Sequence, residues 1–201
     1  MKSWHCRGIA LALVGIVHGA SGCTRPNGEF GAAHARERVV CLPSSMASVS
    51  SAGSSLGLGG EVRFGGPLGR SALYLKFPNE WRTRGVPVQA FLTLSAREAS
   101  ATSDVVLTLE AWRISADWQA QTLQHWSDKP SLAPPYARTQ ISPSPSREVQ
   151  LDVSELVRFA AQNPERDFGI AVIASGSDGP GASFSTGLDG GRAPRLELYV
   201  R

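Results

Sequence analysis

Long apolar runs are missing from this chain of 201 residues, and lysine, histidine, methionine and cysteine are scarce. The longest apolar stretch, Gly8 to Val17, is about half of the roughly 20 residues that a membrane-spanning helix needs, which argues against a transmembrane span. Only Lys2, Lys76 and Lys129 are lysines among 20 basic side chains. Lys2 and Arg7 fall in a segment expected to be removed, so 18 basic residues remain against 17 acidic ones, a balance of +1. No basic stripe is left to drive counterion release, and nucleic acid is excluded as a partner. The three cysteines and four histidines show neither Cys-x-x-Cys nor His-x-x-x-His spacing, which excludes a zinc site of the usual kind. A nucleophile also lacks its helpers. Outside the N-terminal segment only His34 and His125 occur, and Gly181-Ala182-Ser183-Phe184-Ser185 misses the final glycine of a nucleophile elbow, so it reads as the edge of a strand.

The N-terminal segment is the most legible part. Met1 to Arg7 is short and basic, Gly8 to Val17 is apolar, and Gly19, Ala20, Ser21 and Gly22 are small, the three regions of a secretory signal peptide. Ala20-Ser21-Gly22-Cys23 resembles a bacterial lipobox, with Ala20 where leucine is preferred. The resemblance implies cleavage before Cys23 and acylation of its thiol, hence a lipoprotein anchored to the bilayer of the outer membrane or cell surface. Each acyl methylene buried contributes about 0.8 kcal/mol to such an anchor. Residues 1–22 are then the leader, 23–36 a flexible tether without apolar periodicity, and 37–201 one folded domain. Cys41 would remain alone and reads as a buried small hydrophobe. Without acylation, a Cys23–Cys41 bridge becomes available in an oxidising compartment.

Alternation dominates the domain. Leu73, Leu75 and Phe77 share one face, as do Val88, Ala90, Leu92, Leu94 and Ala96, then Val105, Leu107, Leu109 and Ala111, then Leu196, Leu198 and Val200. Period two of this kind predicts half-buried strands. Arg38 to Leu42 reads as a further short strand. Ser44 to Gly60, rich in serine and glycine, reads as a loop. Phe168 to Ala174 is apolar on both faces and predicts a central strand. Val153, Leu156, Val157 and Ala160 carry helical spacing, which predicts one short helix over about 153–162, capped by Asp152 with Glu155 as reciprocal partner and ended by Asn163-Pro164. The expected fold is an all-β, antiparallel, jelly-roll-like β-sandwich.

Six segments in order carry a resemblance over Arg38 to Arg201: Ser54 to Gly60, Arg70 to Phe77, Val86 to Leu94, Leu109 to Ile114 with Asp117-Trp118 and Trp126 to Pro130, Leu151 to Val157, and Ala193 to Val200. Together they are similar to the DNRLRE domain family, which includes carbohydrate-binding modules of family 96 and disaggregatase-related repeats. Gln119, Ala120 and Gln121 stand where that family has an acidic residue, and the spacing from Trp118 to Trp126 is one residue longer. The resemblance implies a jelly-roll-like sandwich, an extracellular setting and polysaccharide binding.

Recognition of sugars by a sandwich uses exposed aromatic faces, with Arg, Asn or Gln on the hydroxyls. Trp81 lies in the polar segment Pro78 to Gly85, flanked by Arg82 and Arg84; Trp112 falls on the polar face of its strand; Tyr136 follows Pro134-Pro135. These five residues are the candidate ligand contacts, the two arginines suggesting an acidic glycan. Trp118 and Trp126 read as packing the long loop onto the sandwich. No cofactor is expected. Asp178 and Asp189, in a glycine-rich loop, offer carboxylates to a structural calcium, although loop aspartates serve more often as turn formers. Glu110, Asp117, His125 and Tyr136 supply acids and bases but no spacing that asks for catalysis, so the domain is expected to bind rather than catalyse. The alternatives are a structural or protein-interaction module of an envelope assembly and, by analogy with disaggregatase, a polysaccharide-degrading enzyme.

Overall fold

The computed structural model describes residues 23–24, 37–51, 60–65, 70–99, 106–141, 148–175, 181–188 and 190–201. Two antiparallel sheets lie face to face. The strands are β1 (Cys23–Thr24), β2 (Glu37–Cys41), β3 (Ser45–Ser50), β4 (Glu61–Phe64), β5 (Ser71–Lys76), β6 (Pro87–Ala99), β7 (Leu107–Ile114), β8 (Leu132–Ile141), β9 (Glu148–Asp152), β10 (Ile170–Ser175), β11 (Ala182–Ser185) and β12 (Arg195–Val200). The larger sheet of seven strands runs β1-β2-β12-β6-β11-β4, with β9 also on β6, and the smaller of five runs β3-β5-β10-β7-β8. Strand β6 is long enough to serve three neighbours: β12 along 87–93, β9 along 91–95 and β11 along 96–99.

The alternating apolar residues meet between the sheets. Leu73 and Leu75 of β5, Leu92 and Leu94 of β6, Leu109 of β7 and Leu198 of β12 are fully buried in one cluster, and burying each such side chain contributes about 1.5–3 kcal/mol. Phe64 and Phe184 meet edge-on at 5.7 Å in the same core. The outer face of the seven-stranded sheet carries charge instead. Glu197 accepts hydrogen bonds from Arg38 (2.6 Å), Arg195 (2.8 Å) and Thr93 (3.2 Å), and Arg195 continues to Glu148 (2.6 Å). Burial opposes ionisation of Glu197, but the hydrogen bonds from Arg38 and Arg195 prevail and hold its carboxyl below the ordinary range.

The outer face of the five-stranded sheet is partly covered. Ala72 and Tyr74 of β5 and Ala171 of β10 pack there against Trp118 and Leu123 from the segment between β7 and β8. That segment is tied down by Lys76, which donates to Asp117 (2.8 Å) and to the Trp118 carbonyl (2.6 Å), and by the Trp118 indole N–H on the Phe168 carbonyl (2.8 Å). This cover explains why β10 is apolar on both faces. The helix α1 (Ser154–Gln162) seals one end of the sandwich with Leu156 and Val157. It starts one residue later than predicted. Asp152 accepts from the Ser154 backbone N–H at 3.0 Å, but Glu155 pairs with Arg158 rather than reaching back, so no capping box forms.

Two expectations are corrected. Ser44 to Gly60 is not wholly loop, because β3 occupies Ser45–Ser50, with Ala47 and Val49 buried under the covering segment. Strand β8, where the sequence predicts no element, carries Pro134 and Pro135, tolerated because β8 is an edge strand whose outer amide positions need no partner. The segment Pro78 to Gly85 is a 3-10 helix over Asn79–Arg84 rather than an open loop. Asp104, Val105, Asp178, Asp189 and His34 lie outside the described residues, as do 25–36 of the expected tether.

Candidate functional site

Strand β7 alternates Leu107, Leu109 and Ala111 into the core, which turns Glu110 and Trp112 outward. Register then places Tyr136 of β8 opposite Trp112, and Arg138 opposite Glu110. The Trp112 and Tyr136 rings stack at 4.2 Å and 11°. The Trp112 indole N–H donates to Glu110 at 2.9 Å, and Arg138 grips the other oxygen of that carboxylate with two bonds of 2.9 and 2.6 Å. Each aromatic ring is thereby fixed before any ligand arrives, which removes part of the ordering cost of binding. Tyr136 remains 49% exposed.

A groove of about 550 Å3 lies on the same sheet face, lined by Arg70, Tyr74, Trp126, Lys129, Leu132 and Ile173. Ile173 stands opposite Glu110 in the ladder, so groove and stacked pair are contiguous. The Lys129 ammonium sits 4.3 Å over the Trp126 ring. Neither Arg70 nor Lys129 has an acidic partner among the described residues, so both leave positive charge at the groove. Burial pushes the Tyr74 phenol up to about 12, so it stays protonated, a hydrogen-bonding group and not a base.

Two of the five sequence candidates, Trp112 and Tyr136, therefore come together. The other three do not join them. Trp81 is 2% exposed, because the 3-10 turn folds its indole into the inter-sheet core, and it is not an exposed platform. Arg82 is paired with Asp167 and lies 5.2 Å over the Trp81 ring. Arg84 is exposed at the end of that turn, away from the stacked pair. Trp118 and the half-buried Trp126 both pack the covering segment as expected, and Trp126 also lines the groove. Arg70 and Lys129 went unnoticed in the sequence. The one signal that points to Lys129 is its position three residues after Trp126.

A second cavity, of about 280 Å3, opens at the end of the sandwich beneath α1, with Trp81, Lys76, Arg113, Asp117, Phe159 and Asp167 among its walls. The paired carboxylates there are neutralised: Asp117 is held below its usual range chiefly by its hydrogen bond from Lys76, and Asp167 pairs with Arg82. No three His, Cys, Asp or Glu side chains come together among the described residues.

The N-terminal candidate is Cys23. It stands opposite Cys41 in the β1–β2 ladder. Cys41 is buried as expected but is not alone, since it is disulfide-bonded. Among the described residues no helix is long and apolar enough to cross a membrane. No known family model and no curated protein matches the chain.

Proposed function

We propose that this chain is an exported lipoprotein, held at the cell envelope through acylated Cys23, whose sandwich domain binds an acidic polysaccharide along the outer face of the five-stranded sheet. The observation that carries the reading is the stacked Trp112–Tyr136 pair beside a groove edged by the uncompensated cations Arg70 and Lys129. Sugar rings offer C–H faces to the exposed side of Tyr136, and carboxylates along the glycan meet the two cations. The resemblance to DNRLRE domains supports the same reading. The opposite outer face argues against itself as a site, because its arginines and glutamates already satisfy one another.

Affinity electrophoresis of the full chain in gels containing polygalacturonate, or neutral dextran as control, tests this. Retardation is expected in the acidic gel. Tyr136→Ala should weaken it by roughly tenfold, the upper range for losing one aromatic contact, and Arg70→Ala with Lys129→Ala should abolish the preference for the acidic gel. Arg84→Ala should change nothing. Equal retardation of Tyr136→Ala and the parent, or none for the parent in any polysaccharide, would overturn the assignment.

The disulfide at Cys41 favours a second reading of the N-terminal segment, in which Cys23 is its partner and the exported domain is not lipid-anchored. One sulfur cannot carry both a thioether and a disulfide. Intact mass of the membrane and soluble fractions separates the two: acyl mass on a chain beginning at Cys23 supports the anchor, and an unacylated chain with no alkylatable thiol supports the bridge.

A further inference from the structure

Arg113 breaks the pattern of its own strand. Leu107, Leu109 and Ala111 precede it on the core-facing side of β7, and alternation sends its side chain inward with them. A guanidinium at a core position is costly unless paired. Arg113 is only 8% exposed, yet it has no carboxylate partner among the described residues. Its Nε–H donates to the Pro134 carbonyl at 2.9 Å, and the guanidinium lies 4.3 Å over the Phe159 ring of α1. The two Nη nitrogens find no acceptor among the described residues. Burial, with Arg166 nearby adding like charge, lowers its proton affinity.

That side chain lines the cavity of about 280 Å3 beneath α1. The other charges of the cavity are already spent on each other: Lys76 on Asp117, and Asp167 on Arg82. Most of the remaining side chains are apolar, among them Trp81, Leu156, Val157, Phe159, Phe168 and Ile170; Ser44 and Asn79 add polar groups, the Ser44 hydroxyl already donating to the Lys76 carbonyl. With the Nε–H engaged, the edge left open is the end-on fork of Nη1 and Nη2, which matches the two oxygens of a planar carboxylate. The volume lies just under the roughly 300–1,000 Å3 of sites that take drug-sized ligands, which suits a single ring or a short chain.

We propose that this cavity is a binding site for a small organic carboxylate with an apolar body, anchored end-on by Arg113 and enclosed by Trp81 and Phe159. It is separate from the sheet face assigned to polysaccharide and does not depend on that assignment.

Isothermal titration of the full chain with benzoate, benzamide and glucuronate tests this. Benzoate should bind saturably, benzamide should bind roughly tenfold to a hundredfold more weakly for want of the charged hydrogen bonds, and glucuronate should bind more weakly than benzoate because its hydroxyls face apolar walls. Arg113→Met should abolish the preference for benzoate over benzamide. Ala160→Phe places a bulky ring in the same cavity from α1 and should block all three ligands; thermal melts show that each variant is folded. Failure of benzoate to bind, equal affinity for benzoate and benzamide, glucuronate binding the tighter, or unchanged benzoate affinity in folded Ala160→Phe would each overturn the proposal. None of these outcomes bears on retention by polygalacturonate.

Discussion

Acid should strip stability from this domain through Glu148, and the amount follows from its surroundings. The carboxylate on β9 accepts from Arg195 at 2.6 and 2.9 Å and from Arg192 at 2.7 Å. These bonds, Arg195 first, lower its pKa from 4.5 to about 2. Undiminished, that shift equals about 3 kcal/mol, at about 1.4 kcal/mol for each pKa unit. Glu148 is 28% exposed and Arg192 75% exposed, so solvent screening reduces the contribution to roughly 1–2 kcal/mol. A depressed carboxylate contributes stability that is fully present above its unfolded pKa and is lost as pH falls through the folded one. The window therefore runs from 4.5 down to about 2. Glu148→Gln removes the titration while keeping the shape. Urea unfolding followed by tryptophan fluorescence should show the variant roughly 1–2 kcal/mol less stable near neutrality, with the two proteins converging in the most acid buffers. A gap that stays constant with pH, or widens in acid, would refute the reasoning.

Two further substitutions read other parts of the fold. Gly169 adopts φ +102°, and a Cβ there would stand 2.1 Å from the Leu75 carbonyl oxygen, so Gly169→Ala should destabilise by more than about 2 kcal/mol in the same assay. Asp152→Ala removes the acceptor of the Ser154 N–H and should cost about 1 kcal/mol, while Glu155→Ala should stay within about 0.5 kcal/mol; equal losses in calorimetric melts would mean that the capping box predicted from the sequence does form.

The sandwich was legible where one periodicity ruled a whole segment. Ala90, Leu92 and Leu94 alternate as the core requires, and β6 and β12 follow. Strand β10 was legible by its lack of alternation, since both its faces are covered. The edges were not legible. In β3 three serines interrupt the apolar residues, which divide between the inner core (Met46) and the outer cluster (Ala47 and Val49), and in β8 the prolines are harmless on a free edge. The site was half legible for a related reason. Period two places Trp112 on the wet face of its strand, but Tyr136 lies on a strand that the prolines conceal, and the pairing of the two depends on the register between β7 and β8. Trp81 misled because polar neighbours suggest exposure, whereas a tight turn can present its flanks to water and its indole to the core. Arg113 carried a signal that was passed over: a charge at an apolar position of an otherwise regular strand.

Strand β12 lies between β2 and β6, flanked on both sides by chain made much earlier. During synthesis the larger sheet thus keeps a gap at its middle until residue 200 has been made. Contacts of such sequence separation close slowly, so the larger sheet is completed late. The same arrangement makes even a short C-terminal deletion an excision from the interior of a sheet, which would detach β2 and β1 together.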